Sequence, residues 1–385
     1  MIYYISQTIF PNKKANAIQQ LKMCQAFVDA DESVTFVHPL STDQSEELTW
    51  SDLSRKYGLT TEFNIVSVRS LKNSFEAVPQ IGFFSLGISV ASWIYKKTLQ
   101  GSISSDDIIY SRNYYAAYFL SELFKFLPSS RRPKIYTEYH SVYRHRRFSN
   151  RFFRNLDGVI SITEILKQDL IETYPLAPEK CFVAPDGVDL ERYRGVNTDE
   201  ARKRVGIPQN EFTVMYTGHL YPRKGGQVLI KAASDIDGEI YIVGGYKEDI
   251  NRIKSNYTIP ENVHFTGFVD PSEIPYYQYS ADILVAPYTS DALRHISPLK
   301  LFEYMATGTP IVASNFPVLK EVLSDRKNSL LVELDNSNAL RNAINELRTN
   351  PELAKSIAEQ AQKDVEQYSW QARAERILQF IYGTF

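Results

Sequence analysis

The sequence predicts an α/β protein made of two doubly wound parallel-sheet domains. Three observations carry that expectation. Short β-rich runs alternate with helical patterns, which implies parallel strands joined by helical crossovers. The alternation breaks once, over the turn-rich and then charged stretch Phe182–Asn210, and afterwards starts again. At 385 residues the chain is too long for one typical domain and suits two.

Taken in order, Tyr3–Ser6 reads as the first strand. Ala15–Ala30 follows as an amphipathic helix, with Ile18, Leu21, Met23, Phe27 and Val28 on its apolar side. Val34–His38 and Phe63–Val68 are strands. Phe83–Tyr95 is an apolar helix, Ile108–Ser111 a strand and Tyr114–Leu127 an aromatic-rich helix. Lys134–Tyr139 and Gly158–Ile162 complete the first series. Phe182 opens a strand that breaks at Pro185-Asp186-Gly187, a turn signal. The second series runs through strand Phe212–Tyr216, helix Gly225–Ser234, strand Glu239–Val243 and helix Tyr246–Tyr257. Strands Val263–Phe265, Ile283–Ala286 and Ile311–Ala313 follow. The chain closes with helices over Asn338–Arg348, Pro351–Tyr368 and Gln371–Tyr382.

Composition bounds the function. Hydrophobic content of 43% and charged content of 23% are ordinary for a globular enzyme. A net charge of −2 argues against a nucleic-acid binder driven by phosphate neutralisation. The two cysteines, Cys24 and Cys181, sit among apolar residues and read as buried thiols in a reducing compartment. MIYYISQTIF lacks the basic flank and long apolar core of a signal peptide. No window reaches the ~20 apolar residues of a membrane span. Ile81–Tyr95 comes nearest, but it is short and carries Ser85, Ser89 and Ser92. It fits a buried helix, or alternatively one that touches a membrane. There is no GxGxxG fingerprint, no zinc-type His/Cys cluster and no G-x-S-x-G elbow. Asp235-Ile236-Asp237 falls in a helix-to-strand loop and reads as a solvated turn.

Three stretches carry chemistry. In Ser297–Ser314, SPLKLFEYMATGTPIVAS, Ser297 is an expected N-cap and Pro298 suits the first helical turn. Glu303 lies on an otherwise apolar helix, Gly308 stops that helix and a strand follows. The amides at such a helix start can hold an anion. Glu303 reads either as a ligand group or as half of a structural ion pair. In Met215–Gly226, MYTGHLYPRKGG, a strand ends at Gly218, and Arg223 and Lys224 stand beside the next helix start. Cations there suit an anion site, or a solvated basic turn. In Tyr136–Arg147, YTEYHSVYRHRR, His140 follows a strand end and Glu138 orients the loop. Arg144, Arg146, Arg147, Arg151 and Arg154 form a basic run. It reads as a solvated face, or as local attraction to an anionic membrane or lipid-diphosphate surface worth about 1 kcal/mol per group.

SPLKLFEYMATGTP resembles the donor-sugar motif of retaining nucleotide-sugar glycosyltransferases of the GT-B fold, specifically glycosyltransferase family four (glycosyl transferases group 1). MYTGHLYPRKGG and PDGVDLERY resemble the same family at corresponding places. The resemblance spans most of the chain and is strongest after Phe182. It implies two Rossmann-like domains facing a cleft, with the last helix crossing back to the first. The expected domains are 1–190 with 369–385 on the acceptor side, and 191–368 binding the nucleotide sugar.

The implied activity is retaining, metal-independent transfer of a sugar from a nucleotide-diphosphate donor to a glycan, lipid-linked or small-molecule acceptor. Its setting would be polysaccharide or glycoconjugate biosynthesis in the cytoplasm, with peripheral membrane contact through the N-domain and no cofactor. His140, Lys224 and Glu303 are the implied catalytic residues. Donor contacts fall to Gly218, Lys224, Val269 in the base-binding turn Gly267-Phe268-Val269, the helix start Ser297, Pro298, Leu299 and Lys300, and Glu303 on the ribose. His219 stands where the family has an arginine, with Arg223 the candidate to replace that charge. His295 stands where the family has a further glutamate on the sugar, which implies altered sugar selectivity. Asn16, Arg112 and His140 are implied on the acceptor side, beside Lys13 and Lys14. Two other readings stay open: a non-catalytic partner on the same fold, which the replacements at 219 and 295 would suit, and a GT-B sugar-nucleotide epimerase or phosphorylase.

Overall fold

The computed structural model describes residues 1–11, 15–40, 48–69, 79–142, 149–292, 294–295, 297 and 299–384. The chain divides into two compact units, Met1–Asp186 with Trp370–Phe385, and Gly187–Ser369.

The first unit is built on seven strands: β1 (Ile2–Ile5), β2 (Val34–Leu40), β3 (Asn64–Arg69), β4 (Ile108–Ser111), β5 (Lys134–Tyr139), β6 (Gly158–Ser161) and β7 (Cys181–Val183). Their spatial order is β3-β2-β1-β4-β5-β6-β7, and every pairing is parallel. Strands β1, β2, β4 and β6 are buried at every position. That is the pattern of a sheet covered on both faces, and it explains why these strands read as continuous apolar runs. Helices Pro79–Leu99 and Tyr114–Leu123 pack on each other, and the final helix Trp370–Tyr382 packs on Ala15–Asp29. Ile5, Val37, Ile109, Ile135 and Val159 join Val90, Ile94, Ala117 and Leu120 in one core.

The second unit has six strands: β8 (Thr213–Thr217), β9 (Glu239–Val243), β10 (Val263–Gly267), β11 (Ile283–Ala286), β12 (Ile311–Ser314) and β13 (Leu330–Val332). They lie in the order β10-β9-β8-β11-β12-β13, again parallel throughout. Val214, Ile240, Ile242, Ile283, Val285 and Val312 bury against Leu229, Ile230, Leu340 and Ile344 of the flanking helices. Side-chain caps fix several helix starts: Asn113, Thr163, Asn197, Asn336 and Asn350 each accept from a first-turn amide. Such a cap contributes about 1 kcal/mol. Among the described residues no helix is long and apolar enough to cross a membrane.

The expected strands are present, most of them within one or two residues of their expected ends. Five elements exceed the sequence reading: helices Trp50–Tyr57, Ser149–Asn155, Glu164–Thr173 and Ile274–Tyr279, and strand β13. The charged stretch after Gly187 also contains helix Thr198–Val205, capped by Asn197 and closed by Gly206. The helix after Ser297 is described from Leu299 onward, and Pro298, between it and the expected cap Ser297, lies outside the described residues. Gly308 does end that helix, with φ of 67° in the left-handed region that side chains disfavour.

Candidate functional site

In an open parallel sheet, ligands sit beyond the carboxyl ends of the strands, where the strand order reverses. In the second unit the reversal lies between β8 and β11. The loop leaving β8 carries Lys224, the chain leaving β11 carries Tyr288, and helix Leu299–Thr307 carries Lys300 and Glu303. Topology therefore brings the two predicted motifs together at one place.

The loop from β8 is shaped by Gly225. Its φ is 78°, and a Cβ there would stand 1.6 Å from the Pro287 carbonyl oxygen. Only glycine lets this loop close onto the chain after β11. The closure puts Lys224 Nζ 3.2 Å from Tyr288 Oη, to which it donates, and 4.8 Å from the ring centre. Lys300 approaches the same ring from the neighbouring helix. Its Nζ lies 5.0 Å from the Tyr288 ring centre and 3.9 Å from that of Tyr216. Tyr216 Oη donates to the His219 carbonyl at 2.6 Å, which fixes the ring.

These ammonium groups lack an anion. Among the described residues neither Lys224 nor Lys300 forms a salt bridge, and the buried Lys300 Nζ has no hydrogen-bond partner. Burial, reinforced by Arg223, pulls the Lys224 pKa down to about 8. Burial and the Lys224 charge hold Lys300 well below the usual lysine range, against the opposing pull of Glu303. Glu303 is raised by burial, against hydrogen bonding from Gln278 and the charges of Arg192 and Lys300. Its Oε2 accepts from Gln278 Nε2 at 3.2 Å. Gln278 is itself held by Tyr193 Oη, which donates at 2.9 Å, and it donates to Thr217 Oγ1 at 3.2 Å. One Glu303 oxygen is thus anchored, while the other has capacity for hydroxyl donors.

In the first unit the order reverses between β1 and β4. Glu138, at the end of β5, is buried with both oxygens engaged. Oε1 accepts from Gln19 Nε2 at 2.7 Å and from His140 Nε2 at 2.8 Å. Arg112 Nη1 stands 3.3 Å from it. Oε2 accepts from Tyr110 Oη and pairs with Arg373 Nη2 at 3.2 Å. Burial alone would push this carboxyl up, but Arg373, Arg112 and His140 hold it well below the carboxylate range. An ionised carboxylate only accepts, so His140 Nε2 carries its proton and Nδ1 presents a lone pair. Burial and Arg112 lower the His140 pKa, against Glu138 and Asp186, which favours this neutral form. Glu138, His140 and Asp186 converge closely enough to hold a cation. With two buried guanidiniums beside it, however, Glu138 is already neutralised. The cluster is an ion-pair network that ties helix Trp370–Tyr382 to β5, with Arg373 Nε also donating to the Pro185 carbonyl at 2.8 Å.

The remaining predicted residues are placed as follows. Gly218 ends β8 with φ of 130°. His219 is exposed, its ring stacked on Tyr221 at 5.3 Å. Arg223 is also exposed, 5.8 Å from the Tyr221 ring centre. Val269 lies just beyond Gly267, the last residue of β10, which is two places from β8 in the sheet. His295, Ser297 and Leu299 are partly buried ahead of and at the helix start. Asn16 donates to Thr8 Oγ1 at 3.3 Å. Arg112 is committed to Glu138 and Gln19. Pro298, Lys13, Lys14, Arg144, Arg146 and Arg147 lie outside the described residues, while Arg151 and Arg154 are exposed. Asp235 and Asp237 are mostly exposed and pair with Arg341 and Arg348, each at 2.6 Å, as a solvated turn would. Sequence reasoning missed Gln278, Tyr216, Tyr288 and Arg373. Only Arg373 left a signal, as a lone arginine on the apolar side of its helix.

Comparison with known proteins completes the description. The family model described as "Glycosyl transferases group 1" matches residues 197–364, and the one described as "Glycosyltransferase Family 4" matches residues 25–192. The chain is 30% identical over 187 residues to alpha-monoglucosyldiacylglycerol synthase of Streptococcus pneumoniae, covering 46% of this chain and 41% of that protein. It is 26% identical over 239 residues to a D-inositol 3-phosphate glycosyltransferase of Corynebacterium glutamicum, covering 58% and 56%. The chain thus spans about half the length of the curated relatives it matches. Among solved structures, a glycosyltransferase from Rickettsia africae superposes with a TM-score of 0.75 at 16% identity, covering 98% of this chain and 96% of that one. Anabaena Alr3699/HepE in complex with UDP gives 0.71 at 17% identity, with 99% of each chain covered. At these identities the structures establish the fold.

Proposed function

The chain belongs to the family-four glycosyltransferases, the two family models together matching most of its length, and on that premise we propose that it moves a sugar from a nucleoside-diphosphate donor to an acceptor with retention of anomeric configuration. The observation that supports this reading is the convergence of Lys224, Lys300 and Glu303 at the strand-order reversal of the second unit.

Glycosyl transfer must stabilise two opposite charges. The sugar becomes oxocarbenium-like while the departing diphosphate gains negative charge. Lys224 and the amides that open helix Leu299–Thr307 are aimed where that negative charge grows. Fixed in advance, they need little reorganisation as the bond breaks. We assign no metal ion, because these groups supply positive charge themselves. Glu303 accepts from the ribose hydroxyls, each such bond worth roughly 1.5–3 kcal/mol. That binding energy positions the sugar. Gly267-Phe268-Val269 receives the nucleobase through its backbone. The departing phosphate takes the acceptor's proton, so no strong general base is called for. On the acceptor side, within the first unit, His140 keeps an Nδ1 lone pair for a hydroxyl donor. His295 has one donor or acceptor per nitrogen where a carboxylate would have two oxygens, which shifts sugar selectivity.

We assign a glycan or lipid-linked acceptor. Support comes from the matched relative named for a diacylglycerol product and from the exposed Arg151 and Arg154. The setting that follows is glycoconjugate synthesis in the cytoplasm, with peripheral membrane contact. The test is turnover with a panel of UDP-, GDP- and ADP-sugars, followed by proton NMR of the product. One donor should be consumed, and the new linkage should keep the donor's anomeric configuration. An inverted product would remove the retaining mechanism, and no turnover with any donor would count against transfer.

A further inference from the structure

We infer that Lys300 is a second ammonium ligand of the donor's diphosphate, and that it takes up a proton as that diphosphate binds. The inference rests on the donor-site reading above, which already counts Lys300 among the donor contacts, and adds the diphosphate as its target and a proton linkage.

Geometry comes first. Of the three cations near the site, Arg223 is exposed and directed towards Tyr221, and Lys224 already donates to Tyr288. Lys300 is the one whose nitrogen is buried without a hydrogen-bond partner among the described residues. Its Nζ rests on the Tyr216 face and shares Tyr288 with Lys224. It borders Gly218, where an added Cβ would lie 4.0 Å from the nitrogen. The lysine stem is flexible, so rotation about its terminal bonds carries Nζ from the tyrosine faces towards an anion held by Lys224.

Charge explains the proton. An ammonium out of water with no anion is costly, and the group relieves that cost by losing its proton. The groups facing Lys300 are Tyr216 of β8, Tyr288 beyond β11, Lys224 from the loop after β8, and Glu303 on its own helix. Lys224 and burial oppose the charged form, and Glu303 favours it without prevailing. A diphosphate brings negative charge to the same place and reverses the balance, so the bound state holds the extra proton.

The experiment is calorimetric titration of UDP, GDP and ADP at pH 7, in two buffers of different ionisation enthalpy. Their difference gives protons taken up on binding. Wild type is compared with Lys300→Arg, which is always charged, and with Lys300→Met, which never is; circular dichroism checks that each folds. At pH 7 Lys224, with its pKa of about 8, is already mostly protonated. Protons from the nucleotide itself cancel between variants. Wild type should take up a larger fraction of a proton than either variant. Lys300→Met should bind about tenfold or more weakly, and Lys300→Arg within a few-fold of wild type, since an opposite charge gained or lost at contact distance is a factor of that order. Equal proton uptake in all three proteins overturns the linkage, and equal affinity in Lys300→Met overturns the ligand role. If these fail while Lys224→Ala still weakens binding, the donor site stands without Lys300. If wild type binds none of the three nucleotides, the donor-site reading fails as well.

Discussion

Lys224 and Lys300 show how burial adjusts a side chain before any ligand arrives. Burial and the neighbouring Arg223 charge bring Lys224 down to about 8, and its Nζ donates to Tyr288. The sign follows directly. Below that pH it is charged and attracts a diphosphate, and above it the attraction fades. In Lys300→Arg, where only Lys224 titrates, nucleoside-diphosphate affinity should be flat below about pH 7.5. It should then fall by up to about tenfold per pH unit above 8, measured by fluorescence or calorimetry. A flat profile to pH 9.5 in a folded protein would show that Lys224 is not in the site. At this scale the sequence was only partly readable. Lys224 and Glu303 stood out because each sits in a recognisable motif. Gln278, Tyr216 and Tyr288 did not, because their contribution depends on which strands become neighbours. Arg223, the candidate replacement for the missing arginine, is exposed beside Tyr221, while Lys224 is partly buried against Tyr288.

Among the elements, the loop between β8 and helix Gly226–Ala233 does most to assemble the site. Gly225 meets the Pro287 carbonyl so closely that no side chain fits, in a conformation other residues disfavour. Gly225→Ala should therefore lower stability by at least about 1–3 kcal/mol, read as a reduced denaturation midpoint, and should weaken nucleotide binding by displacing Lys224. An unchanged midpoint would mean that the loop relaxes freely. The regular elements were largely legible, because strands buried on both faces appear as uninterrupted apolar runs such as IIYS and ILVA. Those missed were short or polar. Strand β13 has three residues, and helix Thr198–Val205 reads as a charged linker until Asn197 and Gly206 are seen to cap it. Helix Trp50–Tyr57 is set by a Thr49–Asp52 capping box, a local device that hydrophobic periodicity does not reveal.

For the whole molecule, the same principle operates twice. Each unit is a parallel sheet with one reversal of strand order. In the first unit charged groups near the reversal pair with one another, around Glu138. In the second they leave two lysine amines, Lys224 and Lys300, with no carboxylate bonded to them among the described residues. A net charge of −2 for the chain hides this basic cluster. The most direct measurement is calorimetric titration of the preferred nucleoside diphosphate into wild type, Lys224→Ala and Glu303→Ala. Both substitutions should weaken binding about tenfold or more, as loss of a charged hydrogen-bond partner does. Affinities equal to wild type in both folded variants would contradict a donor site at this end of the second sheet.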